Sequence, residues 1–96
     1  MDRSKIINTL RHYKREHANE YGILEIGVFG SVARGDVRED SDVDVVLRIS
    51  KPDLFVLAGI KDELEERLER PVDLVAYRES MSRFLKERID REAVYA

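Results

Sequence analysis

Two aspartates, Asp42 and Asp44, are separated by one residue in a segment that alternates between polar and apolar side chains. Side chains two residues apart in a β-strand point to the same face, so these carboxylates would stand side by side. Like charges at that spacing repel each other unless a divalent cation lies between them, and oxygen ligands suit Mg²⁺ or Mn²⁺. The alternative is a solvent-facing edge on which acids alternate with core valines.

Gly30 and Ser31 stand where an apolar segment ends and a helical turn is predicted to begin. Glycine allows a tight turn and a close approach to a ligand, and the N–H groups at the start of a helix favour a phosphate. The Ser31 hydroxyl adds another donor. Taken alone, the same pair is better explained as a turn followed by a helix cap.

A third acidic residue, Asp73, lies between Val72 and Leu74 in an otherwise apolar segment. An acid in such a strand indicates either a sheet face that meets solvent or a functional site. If this strand pairs beside the strand of Asp42 and Asp44, all three carboxylates lie on one surface. Three carboxylates beside a phosphate-binding turn suit phosphoryl or nucleotidyl transfer with two metal ions.

The elements that must position these residues follow from the periodicity of the chain. Strands are predicted over 23–29, 42–49 and 71–77, and helices over 3–19, 30–35, 51–69 and from Ser80 onward. The order α-β-α-β-α-β-α predicts a single α/β domain, 1–96, with helices packed on a short mixed sheet of about three strands.

Several details of these elements are testable against a structure. The segment 23–29 is apolar on both faces, which predicts a central strand. In 42–49, the odd-numbered Val43, Val45, Leu47 and Ile49 share one face, opposite Asp42, Asp44, Val46 and Arg48. Ser50 is the predicted cap of the helix over 51–69, and Ser80 that of the last helix.

The composition bounds the class of protein. Hydrophobic residues make up 43% of the 96 residues and charged residues 39%, as in a folded domain with an ionic surface. The absence of cysteine excludes a disulfide scaffold, a zinc ribbon and a thiol nucleophile. A net charge of −3 gives no support to strong nucleic-acid binding. We expect a cytoplasmic protein without a membrane partner, and the Arg/Glu-rich usage fits a thermophile.

The segment GSVARGDVREDSDVDV resembles the signature of the nucleotidyltransferase superfamily that includes DNA polymerase β. In that signature Gly-Ser is followed, after ten residues, by Asp-x-Asp, as it is here. The whole chain resembles the minimal nucleotidyltransferase (MNT) subgroup, including the acid in PVDLV and the C-terminal helix. Members of that subgroup are commonly antitoxins of HEPN-family ribonuclease toxins.

The resemblance implies a role for each candidate residue. Gly30 and Ser31 would hold the β- and γ-phosphates of ATP. Asp42 and Asp44 would ligate two Mg²⁺ ions, or Mn²⁺ in their place. Asp73 would ligate the metal nearer the acceptor hydroxyl and help to deprotonate that hydroxyl.

Two nearby arginines, Arg34 and Arg38, have two possible roles. Either could neutralise triphosphate charge or form a surface ion pair. We assign Arg34 to the nucleotide site as an expectation.

The implied activity is transfer of AMP from ATP to a hydroxyl, here a tyrosine of a cognate HEPN toxin that is silenced by the modification. A hetero-oligomer of this chain with the toxin is expected, because 96 residues leave no room for a separate acceptor-binding domain. The alternatives are an antitoxin that acts by docking alone and a nucleotide-binding scaffold.

The remaining candidates are weaker. His12 and His17 are five residues apart, which does not stack them on one helix face, so polar helix histidines are favoured over metal ligands. The last helix is expected to cover the sheet with an apolar face that consists of Met81, Phe84, Leu85 and Ile89. Residues 93–96 are expected to fray unless a partner covers them, with Tyr95 as the anchor.

Overall fold

The computed structural model describes residues 2–36 and 41–96. Within them lie three helices, α1 (Arg3–Tyr21), α2 (Leu54–Leu68) and α3 (Arg83–Glu92). The strands are β1 (Ile23–Phe29), β2 (Val43–Ile49), β3 (Val72–Ala76) and β4 (Val94–Tyr95). The chain order is α1-β1-β2-α2-β3-α3-β4, which confirms the predicted α/β class.

The four described strands form one mixed sheet in the order β3-β2-β1-β4. β1 pairs antiparallel with β2 and β4, whereas β2 pairs parallel with β3. The central position predicted for β1 is therefore confirmed. The topology also places the end of β1 and the starts of β2 and β3 at the same edge of the sheet.

The two faces of the sheet are covered by different helices. Val43, Val45 and Leu47 of β2 belong to the main apolar core, which includes buried residues of α1 and α2. Val46 belongs to a smaller cluster with Phe29 and Ile89 of α3. The predicted alternation of β2 is thus confirmed, and the face that carries the even-numbered residues is the one that α3 covers.

The cap predicted for α2 is wrong. Asp53, not Ser50, caps this helix, since its carboxylate accepts hydrogen bonds from the N–H groups of Phe55 and Val56 at 2.8 and 3.3 Å. Pro52 disfavours the helical conformation of the residue before it, so the helix begins only after the proline.

The bounds of the other two helices also differ from the predicted ones. The cap of α3 is Ser82 rather than Ser80, and its side chain accepts from the N–H group of Leu85. α1 continues two residues beyond the predicted 19, to a left-handed cap at Gly22 with φ of 68°. None of the described helices combines the length and apolar character that a membrane span requires.

Residues 30–35 form hydrogen-bonded turns and not the predicted short helix. The Arg34 N–H donates to the carbonyl of Gly30, that of Gly35 to Val32, and that of Asp36 to Ser31, at 2.9–3.1 Å. These bonds span four, three and five residues, so they do not repeat as a helix requires.

The prediction of a fraying C-terminal segment is wrong. Val94 and Tyr95 pair with Val28 and Gly27 of β1, and the Ala96 N–H donates to the Ile26 carbonyl at 2.8 Å. A Cβ atom at Gly27 would lie 2.6 Å from the Val94 carbonyl oxygen, so only glycine allows this strand to approach.

The apolar face predicted for the last helix is wrong at one position. Phe84 is 78% exposed, whereas Ile89 is buried and Met81 and Leu85 pack against it. At 3.6 residues per turn, Phe84 of α3 is about 100° around the helix from Leu85 and about 140° from Ile89, so it points away from the face on which they pack.

Candidate active site

The sheet brings three of the sequence-predicted residues to one place. Asp44 of β2 lies opposite Phe29, the last residue of β1, and on its other side opposite Asp73 of β3. Gly30 follows Phe29 directly, so the turn and the two carboxylates share one edge. Asp42 immediately precedes β2 at the same edge and is exposed.

Gly30 is required by both its conformation and its surroundings. Its φ of 70° lies in the left-handed region that side chains disfavour. A Cβ atom there would clash with Asp44 Oδ2 and would lie 3.2 Å from Arg88 Nη2. The backbone of the turn therefore packs directly against a carboxylate and a guanidinium group.

The charge of Asp44 is only partly compensated by the protein. Burial raises the pKa of this half-buried carboxyl group, and the nearby charge of Asp73 raises it further. Arg88 opposes that rise, Asp42 adds to it, and Arg34 opposes it more weakly. Crowded carboxylates of this kind favour binding of a cation.

The donor set fits a hard divalent cation such as Mg²⁺, because all three carboxylates offer oxygen ligands. Among residues 2–36 and 41–96, no three Asp, Glu, His or Cys side chains already stand close enough to hold a metal ion. Asp44 is half-buried and packed against Gly30, whereas Asp42 and Asp73 are exposed. Asp44 would therefore be the fixed ligand, and the exposed side chains would close on the ion.

Two residues of α3 that sequence reasoning missed, Arg88 and Glu92, complete the site. The Glu92 carboxylate accepts hydrogen bonds from the Gly30 N–H at 3.2 Å and from Arg88 Nε at 3.4 Å. Arg88 also lies over the Phe29 ring, 5.6 Å from its centroid. Both residues fall at helical spacing with Leu85 and Ile89, on the side of α3 that faces the sheet.

The predicted nucleotide-binding arginine, Arg34, lies beside this group. Its Nη1 atom is 3.5 Å from Glu92 Oε1, so the structure gives it the ion pair that was one of its two possible roles. Arg38 lies outside the described residues. Ser31 is half-buried in the turn next to Gly30.

His17 belongs to α1, and its contacts are with other residues of α1 and with α2, not with the three aspartates. Its ring packs against those of Tyr13 and Tyr21, with centroids 4.5 and 5.2 Å apart, and Nε2 is 3.8 Å from Glu63. His12 is exposed on α1.

Residues 8–96 match the model of a protein family that is described as a nucleotidyltransferase domain. The chain belongs to this family. A protein adenylyltransferase of Thermococcus cleftensis, MntA, is 37% identical to this nucleotidyltransferase domain over 92 residues, which are 95% of this chain and 92% of the relative.

Solved structures agree with this assignment. One assigned to a minimal nucleotidyltransferase is 35% identical, with a TM-score of 0.79 over 98% of this chain and 95% of that chain. Another holds a tri-AMPylated HEPN toxin of Shewanella oneidensis with an MNT antitoxin. Its likeness, at 20% identity and a TM-score of 0.73 over 97% of this chain and 70% of that one, shows the fold alone.

The minimal nucleotidyltransferase resemblance is therefore confirmed for the domain as a whole. The roles of Gly30, Ser31, Arg34 and the three aspartates stay predictions, supported by the geometry described above.

Proposed function

We propose that this nucleotidyltransferase is a Mg²⁺-dependent protein adenylyltransferase, which moves AMP from ATP onto a tyrosine of a cognate HEPN-family toxin and so acts as its antitoxin. The observation that carries the proposal is the pairing of Asp44 with Asp73 directly beside the Gly30 turn. The 37% identical relative that is named a protein adenylyltransferase supports the choice of AMP and of a protein acceptor.

The phosphate end of ATP would lie against the turn. The backbone N–H groups of the turn and the Ser31 hydroxyl are donors, and Arg34 and Arg88 supply positive charge. Asp42 and Asp44 would hold Mg²⁺, which supplies Lewis-acid stabilisation of the charge that develops on the phosphates.

Asp73 stands on the far side of Asp44 from the turn and is exposed, so an acceptor hydroxyl can reach it. It would also be a ligand of the cation, and it would take the hydroxyl proton as the acceptor oxygen forms a bond to the α-phosphorus. The bond from the α-phosphorus to the bridging oxygen breaks, and pyrophosphate leaves with the electron pair.

The partner must supply the orientation of its own hydroxyl, because this small domain offers the acceptor only an open edge of the sheet. Tyr95 remains 38% exposed although it is fixed in β4. It stays our candidate for a toxin contact, now as part of an ordered strand.

The test is transfer to the partner in a purified mixture. With ATP and Mg²⁺, each AMP should add ~329 Da to the HEPN protein, and chelation of Mg²⁺ should abolish the change. Asp73→Asn should lose the transfer, whereas Asp62→Asn, the same charge change at an exposed position of α2, should retain it.

Three outcomes would contradict parts of this proposal. An unchanged partner mass with folded protein contradicts adenylyl transfer, and modification at another residue type contradicts the tyrosine acceptor. If folded Asp73→Asn neutralises the toxin fully without changing its mass, the domain acts as an antitoxin by docking alone.

A further inference from the structure

The carboxylate of Glu92 lies where the proposed function places a phosphate. It accepts from the Gly30 N–H at 3.2 Å, and its two oxygens also lie 3.4 Å from Arg88 Nε and 3.5 Å from Arg34 Nη1. One backbone donor of the phosphate-binding turn and two guanidinium groups therefore converge on a single internal anion. The Glu92 side chain is 18% exposed, so the contact is largely shielded from water.

These distances are long for hydrogen bonds between charged groups, which are typically about 2.7–2.9 Å. The negative charge of the carboxylate thus complements the donors, but its oxygens do not reach them at the ideal hydrogen-bond distance. A phosphate group, with more acceptor oxygens at a tetrahedral centre, can engage the same donors more fully. The Gly30 N–H cannot serve both anions, and two negative groups at one position repel each other.

We infer that Glu92 is an internal substitute for the phosphate, which occupies the turn in the nucleotide-free protein and is displaced by the triphosphate of ATP. Arg88 and Arg34 then exchange the carboxylate for phosphate oxygens. This inference rests on the proposed function, because it takes the Gly30 turn as the triphosphate site.

The exchange requires a side-chain rotation and no movement of the backbone. Glu92 is the last residue of α3, and the next residue, Ala93, is held by a 2.8 Å hydrogen bond from its N–H to the Ile89 carbonyl. Val94 then enters the sheet. The backbone around Glu92 is thus fixed on both sides, so the exchange we infer takes place by rotation about the bonds of its side chain at the helix end.

The experiment compares Glu92→Gln with Glu87→Gln in the intact chain. Both substitutions remove one negative charge from α3 and weaken an ion pair with an arginine four residues earlier, but Glu87 is 59% exposed and pairs with Arg83. Calorimetry would measure the dissociation constants of Mg²⁺·ATP and of inorganic tripolyphosphate. Glu92→Gln should tighten both about tenfold, because a neutral amide competes less well for the two arginines, and Glu87→Gln should change neither.

A second readout uses the wild-type protein and needs no variant to fold. Tripolyphosphate should shift the NMR resonance of the Gly30 amide as its hydrogen-bond partner changes from carboxylate to phosphate. A resonance that does not move when tripolyphosphate binds would overturn the inference.

The outcomes separate this inference from the proposed function. If wild type and Glu92→Gln bind ATP equally well, Glu92 does not compete and only the inference fails. If Glu92→Gln binds ATP but not tripolyphosphate more tightly than wild type does, Glu92 does not compete with the phosphate groups and the inference also fails. If neither ligand binds any form of the folded protein, the proposed function itself is contradicted.

Discussion

Two groups of acidic side chains lie on opposite faces of the sheet. In one the acids are paired with hydrogen-bond donors and a cation, and in the other they lie beside one another. The first, here the tyrosine–glutamate cluster, joins α1 to α2 and consists of Tyr13, Glu16, Tyr21, Glu63 and Arg67. Glu63 accepts from the hydroxyls of Tyr13 and Tyr21 at 2.6 and 3.3 Å, and Arg67 pairs with Glu16 at 2.5 Å. Burial and the hydrogen bond to Glu63 raise the pKa of the Tyr13 phenol, which therefore stays a donor.

The second group, the acid cluster of Asp42, Asp44 and Asp73, places carboxylates beside one another. The result is a raised pKa at Asp44, whose charge the surrounding acids oppose. An arrangement that disfavours its own ionised form does not stabilise the fold, so function explains it better than stability does.

A cavity is not by itself the mark of the proposed chemistry. An open groove of about 540 Å³ is lined by His17, Glu63, Glu66 and Arg67, and so belongs to the tyrosine–glutamate cluster. In that cluster the acids have suitable partners, since Glu63 accepts hydrogen bonds from two tyrosine hydroxyls and Glu16 pairs with Arg67. The electrostatic mismatch at Asp44 is the better guide to the chemistry.

The largest expected difference between the clusters is in activity. Asp44→Asn should lower the rate of adenylyl transfer by about 100-fold or more, because it removes the fixed ligand of the proposed cation. Its free energy of unfolding should not fall, since like-charge repulsion is relieved. Glu63→Gln removes the same charge from the other cluster and should keep the wild-type rate.

Initial rates and thermal unfolding of both variants would check this pair. A folded Asp44→Asn protein with more than about a tenth of wild-type activity would contradict the assignment of the acid cluster. A comparable loss of activity in folded Glu63→Gln would show that the two regions are coupled.

Tyr13→Phe should have the next largest effect, on stability alone. Tyr13 is fully buried and its hydroxyl makes the 2.6 Å bond to Glu63. Removal of the hydroxyl should lower the free energy of unfolding by about 1 kcal/mol, which is a fall of several degrees in Tm for a domain of this size. Denaturant titration would measure it, and an unchanged midpoint would mean that the cluster does not stabilise the packing of α1 on α2.

The smallest expected effect is on the pH dependence of the free energy of unfolding. Because the pKa of Asp44 is raised in the folded state, the native protein binds this proton more tightly than the unfolded chain does. The associated stability is present below the ordinary aspartate pKa of about 4 and is lost as pH rises through the raised value.

Asp44→Asn removes this dependence, so the variant should gain stability relative to wild type as pH rises from 4 to 7. Solvent screening of the half-buried group keeps the gain small. Urea unfolding of both proteins at several pH values would measure it. A difference that is constant over the range would contradict the repulsion inferred at Asp44.

Local patterns predicted the centre of the site well. The alternation of β2 placed Asp44 opposite the core valines, because a strand by itself sets the face on which each side chain lies. The meeting of Asp44 with Asp73 depended on the pairing of β3 beside β2, which the sequence offered only as a condition and the structure shows.

The parts of the site that come from α3, and the strand β4, depend on contacts between distant segments of the chain. In the sequence, Arg88 and Glu92 are four residues apart on a charged helix, which is typical of a surface ion pair, and helical spacing does not reveal which turn of the chain faces them. β4 consists of two residues, too few to show alternation. Its only signal was Gly27 inside a strand, which indicates a close backbone approach without naming the partner.

The pairing of β4 with β1 has a consequence for biosynthesis. A ribosome delivers β1 and the Gly30 turn early, but the strand that fixes the end of α3 is translated only with residues 94–95. The nascent chain can therefore form the helices and the central strands before Arg88 and Glu92 are held beside the turn. Competence to bind nucleotide would therefore arise late in folding, after β1, β2 and β3 have paired.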